Sequence, residues 1–404
     1  MNELFLATPD KREPLSLEAL AARLTQARET RGLPFAERRL ALVAEFSALL
    51  GSDKRFAENA PLRAFAFWTR KSALLQLRDR FLAQQPQQTV AVGRGIAFHL
   101  PPANVDTLFL YSWALAFLTG NVNVTRLPSA FEGPSEAALA LLLSLLEKAG
   151  FADAFVSYPA NEGLNRALSQ LADIRIVWGG DAKAEIFAAI PLRADARALV
   201  FPDRFSYAAI DGAFLLGLDD EGRKETARAL FNDLFLFNQM ACSSPHLLYV
   251  VGDAVAHGPA LQNLLAETAL VAEAKGVNIS ASHALEKDAR AASLAGAGNV
   301  TRIWRFSNDL TSVALTESLD PAIGGGFLGI VFIDALDALA AQVQERHQTL
   351  TYAGFTREDM EVFAPKAALR GLCRIVPMGQ ALAFDALWDG QDLLRETVKF
   401  VRII

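Results

Sequence analysis

The pattern of apolar positions along the chain changes near residue 90. Before it, Leu, Ala, Glu and Arg recur at helical spacing, with breaks at Pro34 and around Gly51, which predicts a helical lead-in. After it, short runs rich in β-branched and aromatic residues alternate with helical runs. The first of these β-rich runs are QTVAVGRGIAFHLP, NVNVTRLP, AFVSYP and IRIVWGG. This alternation predicts βαβ units and a parallel sheet.

The second half of the chain repeats the alternation and predicts a second α/β domain. The strand ARALVFP leads into two helical segments, and the loop after them is followed by the strand HLLYVVG. Further strands are predicted in 301–306, 311–317 and the run GGGFLGIVFID, and near LTYAGF and CRIVPMG. The remaining predicted helices lie across 259–275, 335–348, 356–369 and 390–401.

Composition narrows the class of protein. The chain has 404 residues, of which 52% are hydrophobic, enough to fill two cores. A net charge of −6 without a basic block argues against nucleic acid as a partner, and no apolar run reaches the ~20 residues that span a bilayer. Two cysteines cannot form a disulfide framework, and the first residues lack a signal-peptide pattern, so the expected compartment is the cytoplasm.

Cys242 is the candidate nucleophile. It lies between a helical run and a strand, in a loop with Ser243, Ser244 and Pro245 that gives a thiol access. The oxyanion formed during attack could be bound by the Cys242 backbone N–H and by the side-chain amide of Asn104, which lies in a turn between strand and helix. The alternatives are a buried structural thiol for Cys242 and simple turn stabilisation for Asn104.

Other reactive residue types give weaker signals. Cys373 lies in a strand-like apolar neighbourhood and is expected to be a core thiol. His246 could form a dyad with Cys242, but it opens an apolar strand, so the expectation is against it. The five histidines show no metal-ligand spacing, and no metal site is predicted.

The segment FNQMACSSP (237–245) resembles the active-site segment of the aldehyde dehydrogenase superfamily. With AFHLPPANVDTLFLYSWALAFLTGNVNVTRLPS, QTLTYAGF and RIVPMGQALAFDALWDG, the chain is more specifically similar to the LuxC family of fatty acyl-CoA reductases. The resemblance implies an aldehyde dehydrogenase-like α/β fold with a Rossmann-type cofactor domain plus a smaller α/β catalytic domain. The expected domains are 1–205, with 355–404 returning to it, and 206–354.

The resemblance also implies a reaction. Cys242 matches the nucleophile that a fatty acyl thioester acylates with release of coenzyme A, after which hydride from a reduced nicotinamide cofactor gives the aldehyde. Asn104 matches the oxyanion-binding asparagine, and Asn238 belongs to the same signature as the cysteine. The implied enzyme is an aldehyde-forming acyl-CoA reductase.

Cofactor residues follow from the same resemblance. In the turn VTRLPS, Arg126 replaces a lysine that contacts the adenosine ribose, and a guanidinium suits a 2′-phosphate. NADPH is therefore favoured over NADH, with Ser129 as a second contact. The turn IVWGGDAKAEIF implicates Gly179 and Gly180, beside which Asp181 is expected to be an N-cap.

Two departures from the superfamily pattern matter. The segment PLRADARALVFP (191–202) has no glutamate to activate a hydrolytic water, which favours reduction of a thioester over oxidation of an aldehyde. The glutamate that holds the nicotinamide ribose also lacks its usual context, and Glu317 is the nearest candidate.

The glycines at 324–326 predict a plain turn, with a phosphate loop as the alternative.

Alternatives to acyl-CoA reduction remain open at this stage. The acyl group could come from an acyl phosphate or from an acyl-protein synthetase, a partner that LuxC-like proteins imply. The chain could also be a non-catalytic acyl carrier or scaffold subunit that has lost cofactor binding. The superfamily resemblance further implies a homo-oligomer.

Overall fold

The computed structural model describes residues 4–29, 31–102, 107–128, 131–319 and 323–404. The chain divides into two compact units, Met1–Asp203 with Phe384–Ile404, and Arg204–Ala383. The elements of the first unit are β1 Phe5–Ala7, β2 Arg12–Pro14, α1 Leu17–Glu29, α2 Glu37–Ser52, α3 Ala60–Trp68, α4 Lys71–Ala83, β3 Thr89–Gly93, β4 Ile96–Leu100, α5 Leu108–Leu118, β5 Val122–Arg126, α6 Pro134–Lys148, β6 Ala154–Ser157, α7 Glu162–Leu171, β7 Ile174–Trp178, α8 Asp181–Ala188 and β8 Arg197–Phe201.

The second unit and the C-terminal return to the first unit complete the chain. The elements of the second unit are β9 Phe205–Asp211, α9 Gly212–Gly217, α10 Asp220–Phe235, β10 Pro245–Val251, α11 Ala254–Ala274, α12 Ala281–Gly296, β11 Val300–Phe306, β12 Leu310–Leu315, β13 Phe327–Ile333, α13 Leu336–Gln342, β14 His347–Ala353, α14 Arg357–Ala368 and β15 Arg374–Pro377. Those of the return are β16 Leu387–Trp388, β17 Gln391–Asp392, α15 Leu393–Glu396 and β18 Val398–Arg402.

The main sheet of the first unit has the strand order β2-β1-β6-β5-β4-β7-β8. Strands β4 to β8 are parallel, and the chain moves outward from β4 to β6 before returning to β7 on the other side of β4. This is the doubly wound Rossmann order, whose switch point lies between β4 and β7. Ligands of such sheets bind at the carboxyl ends of the strands at that point.

The central strands are apolar because both faces of the sheet are covered. Every residue of β4 and β7 is buried, as expected for parallel strands between helical layers. Helix α5 is buried on all sides from Phe109 to Leu118, which explains its uniformly apolar sequence. The strand-helix alternation predicted after residue 90 is therefore confirmed for this unit.

A hydrogen-bonded polar chain crosses this apolar core. His99 is fully buried, with Nδ1 2.7 Å from Ser112 Oγ and Nε2 2.9 Å from Asn123 Oδ1. The Asn123 amide in turn donates to the buried Asp153 carboxylate. Burial lowers the pKa of His99 to about 4, so the imidazole is neutral at pH 7.

The second unit has a seven-stranded sheet in the order β11-β12-β13-β10-β9-β14-β15. All neighbours are parallel except the edge strand β11, which is antiparallel to β12. One face packs against α10 and α11, and the other against α12, α13 and α14. The predicted second α/β domain is present.

The C-terminal part differs from the sequence-based expectation. The chain returns to the first unit at Phe384 and not at position 355, because β14 pairs with β9 and β15 while Met360 and Phe363 of α14 are buried in the second unit. The helix predicted across 390–401 is wrong: most of this segment is the short helix α15 and the strand β18, which pairs with β3 in a two-stranded ribbon.

The amino-terminal part and one helix also differ. The lead-in begins with the hairpin β1–β2, which adds to the main sheet beside β6. The run QTVAVGRGIAFHLP is two strands, because the chain turns at Gly95 (φ 142°), where a Cβ would lie 2.0 Å from the Asp173 carboxylate. Helix α12 was not predicted, since its Ala-rich sequence has few large apolar residues.

We expect His99 to make stability dependent on pH. The pKa of His99 is lower in the folded state than in the unfolded state. The stabilisation that comes from keeping the imidazole neutral is therefore fully present above about pH 6.5 and is lost as the pH falls toward 4. Between pH 7 and pH 5 the loss in free energy of unfolding should be about 2 kcal/mol. Urea titrations should show this loss in the wild type and in the control His257→Gln, but not in His99→Gln. The same pH dependence of the free energy of unfolding in all three proteins would contradict the expectation.

Candidate functional site

Cys242 lies in a loop whose backbone is held by hydrogen bonds, and the side chain of Cys242 is exposed. This cysteine loop, residues 236–244, connects α10 to the amino end of β10. Cys242 is exposed, whereas Ser243 and Ser244 are buried. The buried Ser206 of β9 donates through Oγ to the Cys242 carbonyl oxygen at 2.6 Å. An accessible thiol on a held backbone meets two requirements of a nucleophile.

The loop turns through two successive left-handed residues, Asn238 (φ 49°) and Gln239 (φ 61°). Such angles are uncommon outside glycine and require support from surrounding contacts. The Asn238 carbonyl oxygen accepts a hydrogen bond from Gly325 N at 2.9 Å, while its side chain is exposed. The structure thus gives Asn238 a backbone role in shaping the cysteine loop.

Gln239 supplies most of that support, and sequence reasoning missed it. Its side chain is 1% exposed. Nε2 donates to the carbonyl oxygens of Pro245 (2.8 Å) and Phe327 (2.9 Å), and Oε1 accepts from the amides of Gly326 (2.9 Å) and Phe327 (3.1 Å). Both donors and both acceptor positions of the amide are used. The only sequence signal was its position inside the FNQMACSSP segment.

The residues Gly324–Gly326, here called the glycine turn, pack directly against the cysteine loop. Gly325 (φ 65°) and Gly326 (φ 79°) are left-handed. A Cβ at Gly326 would lie 1.9 Å from the Asp309 carbonyl oxygen, and one at Gly324 would lie 3.2 Å from the Asn238 carbonyl oxygen. The amides of Gly325, Gly326 and Phe327 already bind Asn238 and Gln239. The run is therefore a turn that supports the loop, and these three amides are not available to a phosphate.

His246 and Glu317 lie at different edges of the second sheet. His246 Nε2 is 3.2 Å from the Gln239 carbonyl oxygen, and its ring packs edge-on to Phe205. Glu317 is exposed and follows β12, whose carboxyl end lies at the opposite edge from the cysteine loop because β12, β13 and β10 are parallel. Within this unit the structure does not bring Glu317 to Cys242.

Cys373 is the second of the two cysteines in the chain. Cys373 is half-buried and donates through Sγ to the Gly371 carbonyl oxygen at 3.0 Å. Within the part of the chain that the structure describes, no three His, Cys, Asp or Glu side chains lie together as a metal site. None of the described helices combines the length and apolarity needed to cross a membrane.

The candidate cofactor residues of the first unit gather at the carboxyl edge of its sheet. Arg126 ends β5, stacks over the Tyr158 ring at 4.4 Å and donates to the Tyr158 carbonyl oxygen at 3.3 Å. Gly179 (φ 141°) and Gly180 follow β7, and a Cβ at Gly180 would meet nothing within 4 Å. Asn104 and Ser129, both predicted as site residues, lie outside the described residues.

Lys183 joins this edge as a residue that the sequence did not single out. Its Nζ donates to the carbonyl oxygens of Leu100 (2.9 Å) and Pro101 (2.8 Å), so it spans the switch point from α8 to the end of β4. Burial, and then the positive charge of Arg126, lowers the pKa of Lys183 to about 8. Lys183 and the open Gly180 at the switch point, with Arg126 at the end of the neighbouring strand, fit a phosphate-bearing ligand.

Asp181 does not have the predicted N-cap role. Gly180 occupies the N-cap position of α8, and Asp181 is the first helical residue. Its carboxylate accepts a hydrogen bond from Asp203 N at 3.1 Å. Asp181 therefore connects the start of α8 to the segment after β8.

Comparison with known proteins agrees with this architecture. A model of the family described as acyl-CoA reductase (LuxC) matches residues 75–400. The chain is also similar to aldehyde dehydrogenase 21 from Physcomitrella patens in complex with succinate, with 12% identity and a TM-score of 0.70 over 97% of this chain and 91% of that one.

Two further solved structures have the same fold. A 1-pyrroline-5-carboxylate dehydrogenase variant from Thermus thermophilus has 15% identity and a TM-score of 0.65 over 100% of this chain and 90% of that one. An NAD-dependent benzaldehyde dehydrogenase from Corynebacterium glutamicum has 14% identity and a TM-score of 0.65 over 100% and 93%. No curated protein matches the chain. The predicted aldehyde dehydrogenase-like α/β fold is confirmed.

We expect Gln239→Leu to destabilise the second unit. The substitution leaves the buried amides of Gly326 and Phe327 without their acceptor, at a cost of about 2–4 kcal/mol in free energy of unfolding. Urea-induced unfolding measures the change, and Gln342→Leu, at an exposed position of the same unit, is the matched control. Equal stability of the two variants would show that the Gln239 amide does not hold the loop.

Proposed function

This chain belongs to the acyl-CoA reductase (LuxC) family, and we propose that it reduces long-chain fatty acyl-CoA to the aldehyde through an acyl-Cys242 intermediate, with NADPH as reductant. Membership of the family makes the chain an aldehyde-forming oxidoreductase. The observation that carries the finer proposal is the exposed Cys242 side chain on a loop fixed by Ser206, Asn238 and Gln239.

The proposed reaction starts with attack of the Cys242 thiolate on the thioester carbonyl carbon. A C–S bond to Sγ forms, the C–S bond to coenzyme A breaks, and the coenzyme A thiolate leaves with the electron pair. The superfamily resemblance assigns binding of the oxyanion that forms on the way to the side-chain amide of Asn104. The product of this half-reaction is the acyl-enzyme.

In the second half-reaction the acyl group leaves as an aldehyde. When bound, a reduced nicotinamide cofactor supplies the hydride that adds to the acyl carbonyl carbon. The bond to Sγ then breaks, and Cys242 recovers its thiolate. Because 191–202 contains no glutamate to activate water, the acyl-enzyme persists until hydride transfer.

We place the cofactor phosphates at the carboxyl edge of the first sheet. Arg126 and Lys183 provide two positive charges near the switch point, and the open Gly180 allows close approach of a ligand. A guanidinium pairs well with a phosphate dianion, which supports NADPH over NADH. We assign Arg126, Gly179 and Gly180 the cofactor-binding roles predicted from the sequence and add Lys183 to them.

We expect Cys242→Ser to abolish covalent acylation. Incubation with radiolabelled palmitoyl-CoA in the absence of NADPH should label the wild type and the control Cys373→Ser, but not Cys242→Ser. Labelling that persists in Cys242→Ser contradicts the mechanism. Labelling of the wild type by an acyl phosphate but not by acyl-CoA would reassign the acyl donor.

We expect Arg126→Gln to weaken binding of NADPH more than binding of NADH. Loss of one charge-assisted phosphate contact should raise the KM for NADPH about 10-fold or more and change the KM for NADH less than about 3-fold. Steady-state kinetics with both cofactors measure the ratio, and Arg166→Gln on the exposed side of α7 is the control. An equal effect on both cofactors would place the 2′-phosphate elsewhere.

A further inference from the structure

Helix α12 contributes two side chains to the glycine turn. His283 Nε2 lies 3.1 Å from the Gly324 carbonyl oxygen, and its ring fills the space where a Gly325 Cβ would be, 2.3 Å from Nε2. One helical turn later, Lys287 Nζ donates to the carbonyl oxygens of Gly325 (2.8 Å), Asn308 (2.6 Å) and Asp309 (2.9 Å). The three hydrogens of the ammonium group match three carbonyl oxygens.

Lys287 is an unusual residue to bury. It is 1% exposed, and lysine is almost never fully buried without compensation. Helix α12 could have filled this position with an apolar residue at lower desolvation cost, leaving the three carbonyl oxygens to other donors. The ammonium instead connects the β11–β12 turn, which holds Asn308 and Asp309, to the glycine turn before β13.

The connection continues from the glycine turn to the cysteine loop. The amides of Gly325, Gly326 and Phe327 bind Asn238 and Gln239, and Gln239 also binds Pro245, which follows the loop. The contacts therefore run without a gap from Lys287 and His283 to both ends of the segment that carries Cys242. Each link is a hydrogen bond inside the second unit.

We propose that Lys287 and His283 are positioning residues for acyl transfer, holding the glycine turn so that the cysteine loop presents Cys242 to the acyl donor. Lys287 is the main contributor, because it binds three carbonyl oxygens. This proposal rests on the proposed function for its activity readout, but the geometry it describes can be tested independently.

The ammonium form of Lys287 is required for this arrangement, which gives the proposal a pH signature. Burial lowers the pKa of Lys287 to about 8, against the opposing effect of Asp309 and Asp288. Asp309 lies in the β11–β12 turn, Asp288, His283 and Glu286 lie on α12 itself, and the glycine turn adds no charge. Above about pH 8 the neutral amine has two hydrogens for three carbonyl oxygens, and the glycine turn loosens.

The activity arm of the test measures single-turnover acylation of Cys242 by palmitoyl-CoA with the full chain, using intact-mass spectrometry. Lys287→Met should slow acylation about 10-fold or more without changing the Kd for NADPH, and the control Lys366→Met, at a surface ion pair, should react like the wild type. In the wild type the acylation rate should fall above about pH 8 although the thiolate fraction rises. Lys287→Arg, which stays charged, should restore acylation and remove the alkaline fall.

The structural arm measures hydrogen exchange of the amides at 325–327. Lys287→Met should raise their exchange rates about 10-fold or more. His283→Ala, at a half-exposed position, should raise these rates by a smaller factor. It replaces Lys287→Met as the test variant if Lys287→Met does not fold. Exchange rates equal to those of the wild type in both variants would overturn the proposal. Absence of acylation in the wild type would instead refute the proposed function, while the exchange data still decide this inference.

Discussion

The side-chain amide of Gln239 is the contact on which the cysteine loop depends. It binds a residue just after the loop and two residues at the start of β13, using every hydrogen-bonding position it has. A glutamate or leucine could not reproduce two donors and two acceptors in the same volume. Because the left-handed angles at 238 and 239 need external support, these four hydrogen bonds are the largest single contribution to holding the loop that carries Cys242.

The residues to which we assign acyl transfer and cofactor binding lie in different units, each at one edge of a sheet. In the second unit the amino edge of the sheet carries the thiol, supported by the glycine turn and by polar side chains of the loop itself, α12 and β9. In the first unit the carboxyl edge carries Lys183 at the switch point of a Rossmann order and Arg126 at the end of the neighbouring strand β5. Each arrangement relies on backbone carbonyl oxygens as fixed partners for cationic groups, so the positive charges are oriented before any ligand arrives.

Local patterns were sufficient to predict much of the fold and to single out candidate site residues. The alternation of β-rich and helical runs predicted both α/β units, and the position of Cys242 between α10 and β10 followed from the same alternation. Arg126 and Gly179 were singled out because the turns that contain them resemble cofactor-binding turns of the superfamily, which is a property of a few neighbouring residues at and after strand ends. Such features depend on residues that are close in sequence.

What the sequence could not supply depends on residues far apart along the chain. The structural role of Gln239 depends on hydrogen-bond partners near residue 326, and that of Lys183 depends on carbonyl oxygens at the end of β4. The segment from Val398 onward was misread as a helix because its strand character comes from pairing with β3, near residue 90. A period of apolar residues does not reveal such a partner.

The ribbon formed by β3 and β18 also has a consequence for biosynthesis. The first unit is discontinuous in sequence, whereas residues 204–383 form one contiguous stretch. During synthesis on the ribosome, β3 cannot pair with β18 until residues 398–402 have been translated. By then the whole second unit has already been synthesised. The thiol-bearing unit is therefore free to fold first, and the unit to which we assign the cofactor is completed last.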